Sequence, residues 1–173
     1  MKIRSSIHLG GESFSLNLFS TLQETADHLF LKLAAAVFFH AARPTVETGP
    51  AHHALSGQDF WPDLMSVDLT GQVTLWIECG KTTLHKLEKV SKRFRQARVI
   101  VLTAEPAQAR QQAEEVESEK LKGIHVWSFD YGEFARWKSL AGERNDIIGE
   151  AGETAMNLVI NDQPFMTELK KIL

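Results

Sequence analysis

The run Val73-Thr74-Leu75-Trp76-Ile77-Glu78-Cys79 narrows most sharply what this chain can fold into. Its β-branched and aromatic residues predict a buried strand, and Glu78 is the only side chain in it that ionises at neutral pH. Burying an unpaired carboxylate costs roughly several kcal/mol, so Glu78 must sit at the strand's exposed end or face a lysine, an arginine or a metal ion. Upstream, Leu69-Thr70-Gly71-Gln72 is a turn signal, which makes Asp63 to Asp68 the antiparallel partner strand. Such a hairpin brings Asp63 or Asp68 near Glu78.

The rest of the chain reads as a mixture of strands and helices. Segments 2–8 and 12–18, separated by Gly10-Gly11, predict an N-terminal β-hairpin. A long helix is expected over 22–42, with Leu22, Ala26, Leu29, Phe30, Leu33, Val37 and Phe38 on a wide apolar stripe and Arg43-Pro44 ending it. At its start Thr21-x-x-Glu24 has the form of a capping box, which gives Glu24 a structural role. Residues 45–60 read as a loop, in which His52-His53 lacks a third ligand at metal-site spacing and is expected to be exposed. A helix over 82–95 follows the acidic hairpin, with Leu84, Leu87, Val90 and Phe94 on one buried stripe. Beyond it, strand 97–103, helix 107–122, strand 124–129 and helix 131–140 alternate, a rhythm that predicts a partly parallel sheet. Strand-like pieces over 144–158 and a closing hairpin at Asn161-Asp162 complete an α/β (α+β) chain.

A length of 173 residues with no low-complexity stretch predicts one domain. The apolar run Leu29 to Phe39 is too short for a bilayer and is interrupted by Lys32, and the N-terminus has no signal-peptide core, so the expectation is a cytoplasmic protein with no membrane partner. Cys79, the single cysteine, excludes an internal disulfide and reads as packing. The net charge of −3 argues against indiscriminate nucleic-acid binding. Its distribution is uneven, however: Lys81, Lys86, Lys89, Lys92, Arg93, Arg95 and Arg98 stand against the lone acid Glu88, which is compatible with a phosphate-facing patch just after the acidic strand.

Pro62-Asp63-Leu64, Asp68-Leu69-Thr70-Gly71 and Leu75-Trp76-Ile77-Glu78-x-Gly80, preceded by Glu24-Thr25 near a helix start, resemble the YaeQ family over nearly the whole chain. The resemblance implies one YaeQ-like domain over 1–173, similar in fold to the PD-(D/E)XK nuclease superfamily: a restriction-endonuclease-like mixed central sheet flanked by helices, with β-hairpins at both ends. Members of that superfamily gather an Asp and a Glu on adjacent strands, with a Lys, around Mg²⁺. Carried onto this chain, the implied metal ligands are Asp63 or Asp68 together with Glu78, with Glu24 of the first helix joining the acidic site. The superfamily's lysine lies two residues after the strand acid, where this chain has Gly80. Lys81 would point to the opposite face of a regular strand unless Gly80 breaks the pleat, so Lys89, roughly two turns into the next helix, is the better candidate.

Three readings follow. The first is a Mg²⁺-dependent nuclease acting on DNA or RNA, in which the acids hold the ion and the lysine stabilises developing phosphorane charge. The second is a degenerate member that binds nucleic acid or a protein partner through the Lys86–Arg98 patch without cleaving, with Lys81, Lys86, Lys92 and Arg93 as the nucleic-acid contacts. The third is an interaction domain in which acids and lysines only neutralise each other. No hydrolase triad or Gly-rich phosphate loop offers a fourth.

Overall fold

The computed structural model describes residues 1–173. In chain order its elements are β1 (Lys2–Leu9), β2 (Glu12–Phe19), α1 (Ala26–Phe38), β3 (Thr45–Val46), β4 (Leu64–Val67), β5 (Val73–Cys79), α2 (Leu84–Arg93), β6 (Arg98–Thr103), α3 (Pro106–Ser118), β7 (Ile124–Ser128), α4 (Glu133–Leu140), β8 (Arg144–Ala151), β9 (Ala155–Ile160), β10 (Gln163–Glu168) and β11 (Lys170–Lys171). The strands form two mixed sheets, a six-stranded one in the order β11-β7-β6-β5-β4-β3 and a five-stranded one in the order β10-β9-β8-β1-β2.

The six-stranded sheet carries the expected hairpin: β4 and β5 pair antiparallel, with Leu64 opposite Ile77, and β5, β6 and β7 run parallel. Their near-continuous burial follows from helices on both faces. On one face α2 and α3 close a smaller core with Trp76, Leu87, Val90, Val99 and Ala109. On the other lies α1, sandwiched between the two sheets, and every residue from Leu29 to Phe38 is buried. A helix in that position must be apolar all round, which explains Ala34-Ala35-Ala36 and makes the burial of Lys32 conspicuous.

The terminal hairpins do not flank the central sheet separately. They meet in the second sheet because β8 lies parallel to β1, with Ile7 opposite Ile147, and β9 and β10 extend it. Close pairing of β8 with β9 requires Gly149, where a Cβ would come within 2.3 Å of the Asn157 carbonyl oxygen. Strict alternation of buried and exposed residues along β1 and β9 shows that one face of this sheet packs on α1 and α4 while the other has no helix over it.

Helix α1 starts later than its apolar stripe predicts. Thr25 Oγ1 accepts the His28 N–H at 3.2 Å and caps the helix, so residues 20–25 form a connecting turn. Within that turn Glu24 does reach back to the Thr21 N–H, at 2.9 Å, so the capping contact is real although it sits before the helix. Helix α2 is likewise shorter than expected at both ends, and α3 at its C-terminal end. No helix is long and apolar enough to cross a membrane.

Candidate functional site

The open end of the β4–β5 hairpin gathers charge from three directions. Asp63, just before β4, is held to the neighbouring strand twice: its N–H donates to the Ile77 carbonyl at 3.1 Å, and its Oδ2 accepts the Cys79 N–H at 2.8 Å. Its other oxygen faces α1, where His28 Nε2 lies at 2.8 Å and Lys32 Nζ at 3.5 Å. Glu24, one helical turn before His28, bonds Lys32 Nζ through Oε1, and Glu47 approaches the same ammonium at 3.7 Å. Lys32, only 4% exposed, is therefore the shared cation of three carboxylates.

Burial alone would push Asp63 up, but the His28 hydrogen bond and charge, the Cys79 N–H and Lys32 hold its carboxyl below the usual range. Glu24 is lowered in the same way, its burial outweighed mainly by Lys32. Lys32 in turn is raised, because the Glu24 hydrogen bond and the fields of Asp63, Glu24 and Glu47 overcome its own desolvation. Ligand atoms of Glu24, His28 and Asp63 lie within 4.8 Å of one another, close enough to share one ion.

Glu78 points to the opposite face of the sheet, where Trp76 packs against α2. There its Oε1 accepts the Trp76 indole N–H at 2.6 Å and its Oε2 accepts from Lys86 Nζ at 2.7 Å. Lys86 also donates to the Trp61 carbonyl at 2.9 Å. Burial raises the Glu78 carboxyl to about 7, with Lys86 opposing the shift and the neighbouring charge of Asp63 adding to it. The buried Cys79 thiol is pushed up first by desolvation and then by both acids, which makes it an inert packing group.

The structure thus brings Glu24, Asp63 and Glu78 to one end of the hairpin and leaves other expected residues outside it. Asp68 lies at the turn end: its Oδ1 accepts the Thr70 N–H at 2.8 Å, the Thr70 hydroxyl at 2.6 Å and the Gln72 N–H at 3.0 Å. Its place as a ligand beside Glu78 is corrected, since strand pairing puts Asp63 at that position and uses Asp68 to build the turn. Lys89 is corrected as well. Thr83 caps α2, so Lys86 in the first turn reaches Glu78, while Lys89 a turn later is exposed and makes no hydrogen bond or ion pair. Gly80 does break the pleat, with φ +88°, but Lys81 then pairs with Glu115 of α3 at 2.9 Å.

The basic patch is largely occupied by the chain itself. Lys92 pairs with Glu88 at 2.6 Å, and Arg93 donates to the Ser56 carbonyl at 2.6 Å, so with Lys81 and Lys86 all four expected nucleic-acid contacts already have partners. His52 and His53 stack on each other at 4.7 Å, away from the acids. A concavity of about 580 Å³ beside β2, lined in part by Phe14, Leu16 and Arg43, contains none of the clustered acids.

Three members of the cluster, His28, Lys32 and Glu47, are absent from the sequence-based candidates. The signal for two of them is present as Glu24-x-x-x-His28-x-x-x-Lys32, a charged stripe at helical spacing that ends in the only charge of an apolar run.

Comparison with known proteins bears on the family and the fold. The crystal structure of YaeQ protein from Xanthomonas axonopodis pv. citri superposes with a TM-score of 0.73 at 19% identity, covering 99% of this chain and 97% of that one. YaeQ protein from Pseudomonas syringae gives 0.73 at 17% identity, covering 99% and 95%. No functionally curated protein matches. A sequence model of the family described as YaeQ protein matches residues 15–163, and the chain belongs to that family.

Proposed function

We propose that the chain is a divalent-metal-dependent phosphodiesterase acting on DNA or RNA, a PD-(D/E)XK-like nuclease whose lysine has moved from the strand to a helix. The observation that carries this reading is the gathering of charge at the hairpin end: Asp63, just before β4, and Glu78 on the neighbouring strand β5, turned to opposite faces, with Lys86 Nζ 2.7 Å from the Glu78 carboxylate. Superfamily likeness alone would not suffice, because fold does not carry function.

The donor set fits a hard cation. Glu24, Asp63 and Glu47 surround a single lysine, so the α1 side retains excess negative charge. Oxygen donors suit Mg²⁺ and Mn²⁺, and Glu24, His28 and Asp63 would hold the ion. Such an ion would polarise the phosphoryl group and acidify a bound water. The chain's own residues would do the rest. The Cys79 N–H fixes the Asp63 carboxylate, Lys86 supplies positive charge for developing phosphorane oxygens, and Glu78, titrating near neutrality, would exchange a proton at Oε2 as Lys86 turns to substrate.

One observation favours the second, binding-only reading: Lys32 already stands among Glu24, Glu47 and Asp63, where a cation is needed. Cleavage assays on single- and double-stranded DNA and on RNA, with Mg²⁺ or Mn²⁺ and with EDTA, decide between them. Wild type should cleave only with the ion, and Asp63→Asn, Glu78→Gln and Lys86→Met should each lose on the order of 10²-fold or more. A wild type that cleaves nothing in either ion would leave the binding-only reading in its place.

A further inference from the structure

Two arginines on the uncovered face of the five-stranded sheet stand out from all the others. Arg43, Arg93, Arg95, Arg98, Arg110 and Arg136 each donate to a carboxylate, carbonyl or hydroxyl of the chain. Arg4 and Arg144 are exposed, and neither guanidinium has an ion pair or a hydrogen bond. They are also direct Cα partners across the parallel β1–β8 pair, on the same outward face. Like charges placed opposite each other on neighbouring strands are unfavourable, so the arrangement needs an anion between them to become a stabilising one.

Their surroundings suit such an anion. Arg4 and Arg144 line an open concavity of about 540 Å³ together with Ser15 and Asn17, whose hydroxyl and amide offer further donors, and with Ser6, whose hydroxyl is engaged by His8 Nε2 at 3.1 Å. Asp146 shares its rim but stands two residues along β8, opposite Ser6, with His8 Nε2 4.0 Å away. Lys2, on the same face of β1 as Arg4, adds a third cation over the Phe19 ring. Asn17 and Phe19 lie at the end of β2 that enters the turn in which Glu24 accepts the Thr21 N–H.

We infer that this sheet face is the track for a nucleic-acid strand, with Arg4 and Arg144 gripping phosphodiester oxygens and Lys2 extending the track. Guanidinium forks match phosphate oxygens, and an outward sheet face presents them without a helix in the way. The inference rests on the proposed action on DNA or RNA only in its choice of polyanion; it replaces the α2 patch, whose cations are already engaged, as the place where affinity resides.

The test is fluorescence anisotropy with a labelled single-stranded oligonucleotide at low salt in EDTA, where cleavage does not interfere. Arg4→Gln and Arg144→Gln should each weaken binding several-fold. The double variant should lose more than tenfold, with the slope of log K on log salt reduced by about 0.7 for each contact removed. Lys92→Gln should bind as wild type does. The double variant should melt no lower than wild type, because a repulsive pair has been removed. Equal affinity of double variant and wild type overturns the track, as does a wild type that fails to bind the oligonucleotide. A protein that binds through Arg4 and Arg144 yet cleaves nothing with Mg²⁺ or Mn²⁺ keeps the track and loses the nuclease reading; one that cleaves while the double variant keeps its KM does the reverse.

Discussion

The two faces of the six-stranded sheet treat a buried acid in opposite ways. On the α1 face Asp63 is held ionised although buried, because it accepts from a backbone amide and faces both His28 and Lys32. On the α2 face Glu78, with an indole and one lysine for partners and Asp63 as a charged neighbour, is raised to about 7. The paired strands are the same, so the hydrogen bonds and charges reaching each oxygen decide the direction rather than burial itself. One face therefore offers fixed negative charge and the other an exchangeable proton.

Removing each lysine would break that comparison most directly. Lys32→Met strands three carboxylates around an apolar tail, and the loss of stability at neutral pH should be about 3–5 kcal/mol in urea denaturation. Lys86→Met should cost much less at pH 6, since Glu78 can take a proton, and more at pH 8. Equal, pH-independent losses for the two variants would show that the faces do not differ.

The pH profiles come next in size. The folded carboxyl of Glu78 binds its proton more tightly than the unfolded one, whose value is near 4.5, so stability should fall as pH rises from about 4.5 to about 7 and then level off. Glu78→Gln should remove that decline, which amounts to at most on the order of 3 kcal/mol. Asp63 has the opposite sign: its lowered value contributes stability above the ordinary 3.8 that is lost on acidification, so Asp63→Asn should flatten the acid limb instead. A Glu78→Gln profile parallel to wild type between pH 5 and 7 would place its titration elsewhere.

Smaller again is the effect of an ion. Millimolar Mn²⁺ or Mg²⁺ should raise the midpoint of thermal unfolding, by the equivalent of about 2.7 kcal/mol if the ion is at a hundred times its Kd. His28→Ala should weaken the Mn²⁺ effect more than the Mg²⁺ effect, because imidazole suits the former. An unchanged midpoint in both ions would leave Lys32 as the only cation the cluster takes. Smallest of all, Lys89→Ala should shift stability by less than about 0.5 kcal/mol, as befits an exposed side chain without partners.

Most of the elements were legible from periodicity. The β4–β5 hairpin, the α2 and α3 helices and the closing hairpin at Asn161-Asp162 all follow local patterns of apolar residues and turn signals. The second sheet was not legible in that way, because the β1–β8 pairing joins segments about 140 residues apart and leaves no local trace. The site divides along the same line. Glu78 and Asp63 could be paired from the hairpin, but choosing Asp63 over Asp68 needed the register, and Asp68 proved to be a turn builder. Helical spacing puts Lys32 on the stripe of Glu24, but Lys32 meets Asp63 and Glu47 only when α1 is packed between the sheets and the loop after it has folded back, which no spacing rule expresses.

The bond from the Cys79 N–H to the Asp63 carboxylate gives the hairpin a built-in reporter. Most amides of β5 are tied to backbone carbonyls and exchange their hydrogens only when strands separate, whereas this one is released whenever a single side chain turns away. Its exchange rate should therefore follow the orientation of Asp63 rather than the opening of the sheet, and anything that draws that carboxylate toward solvent would be seen first at one resonance.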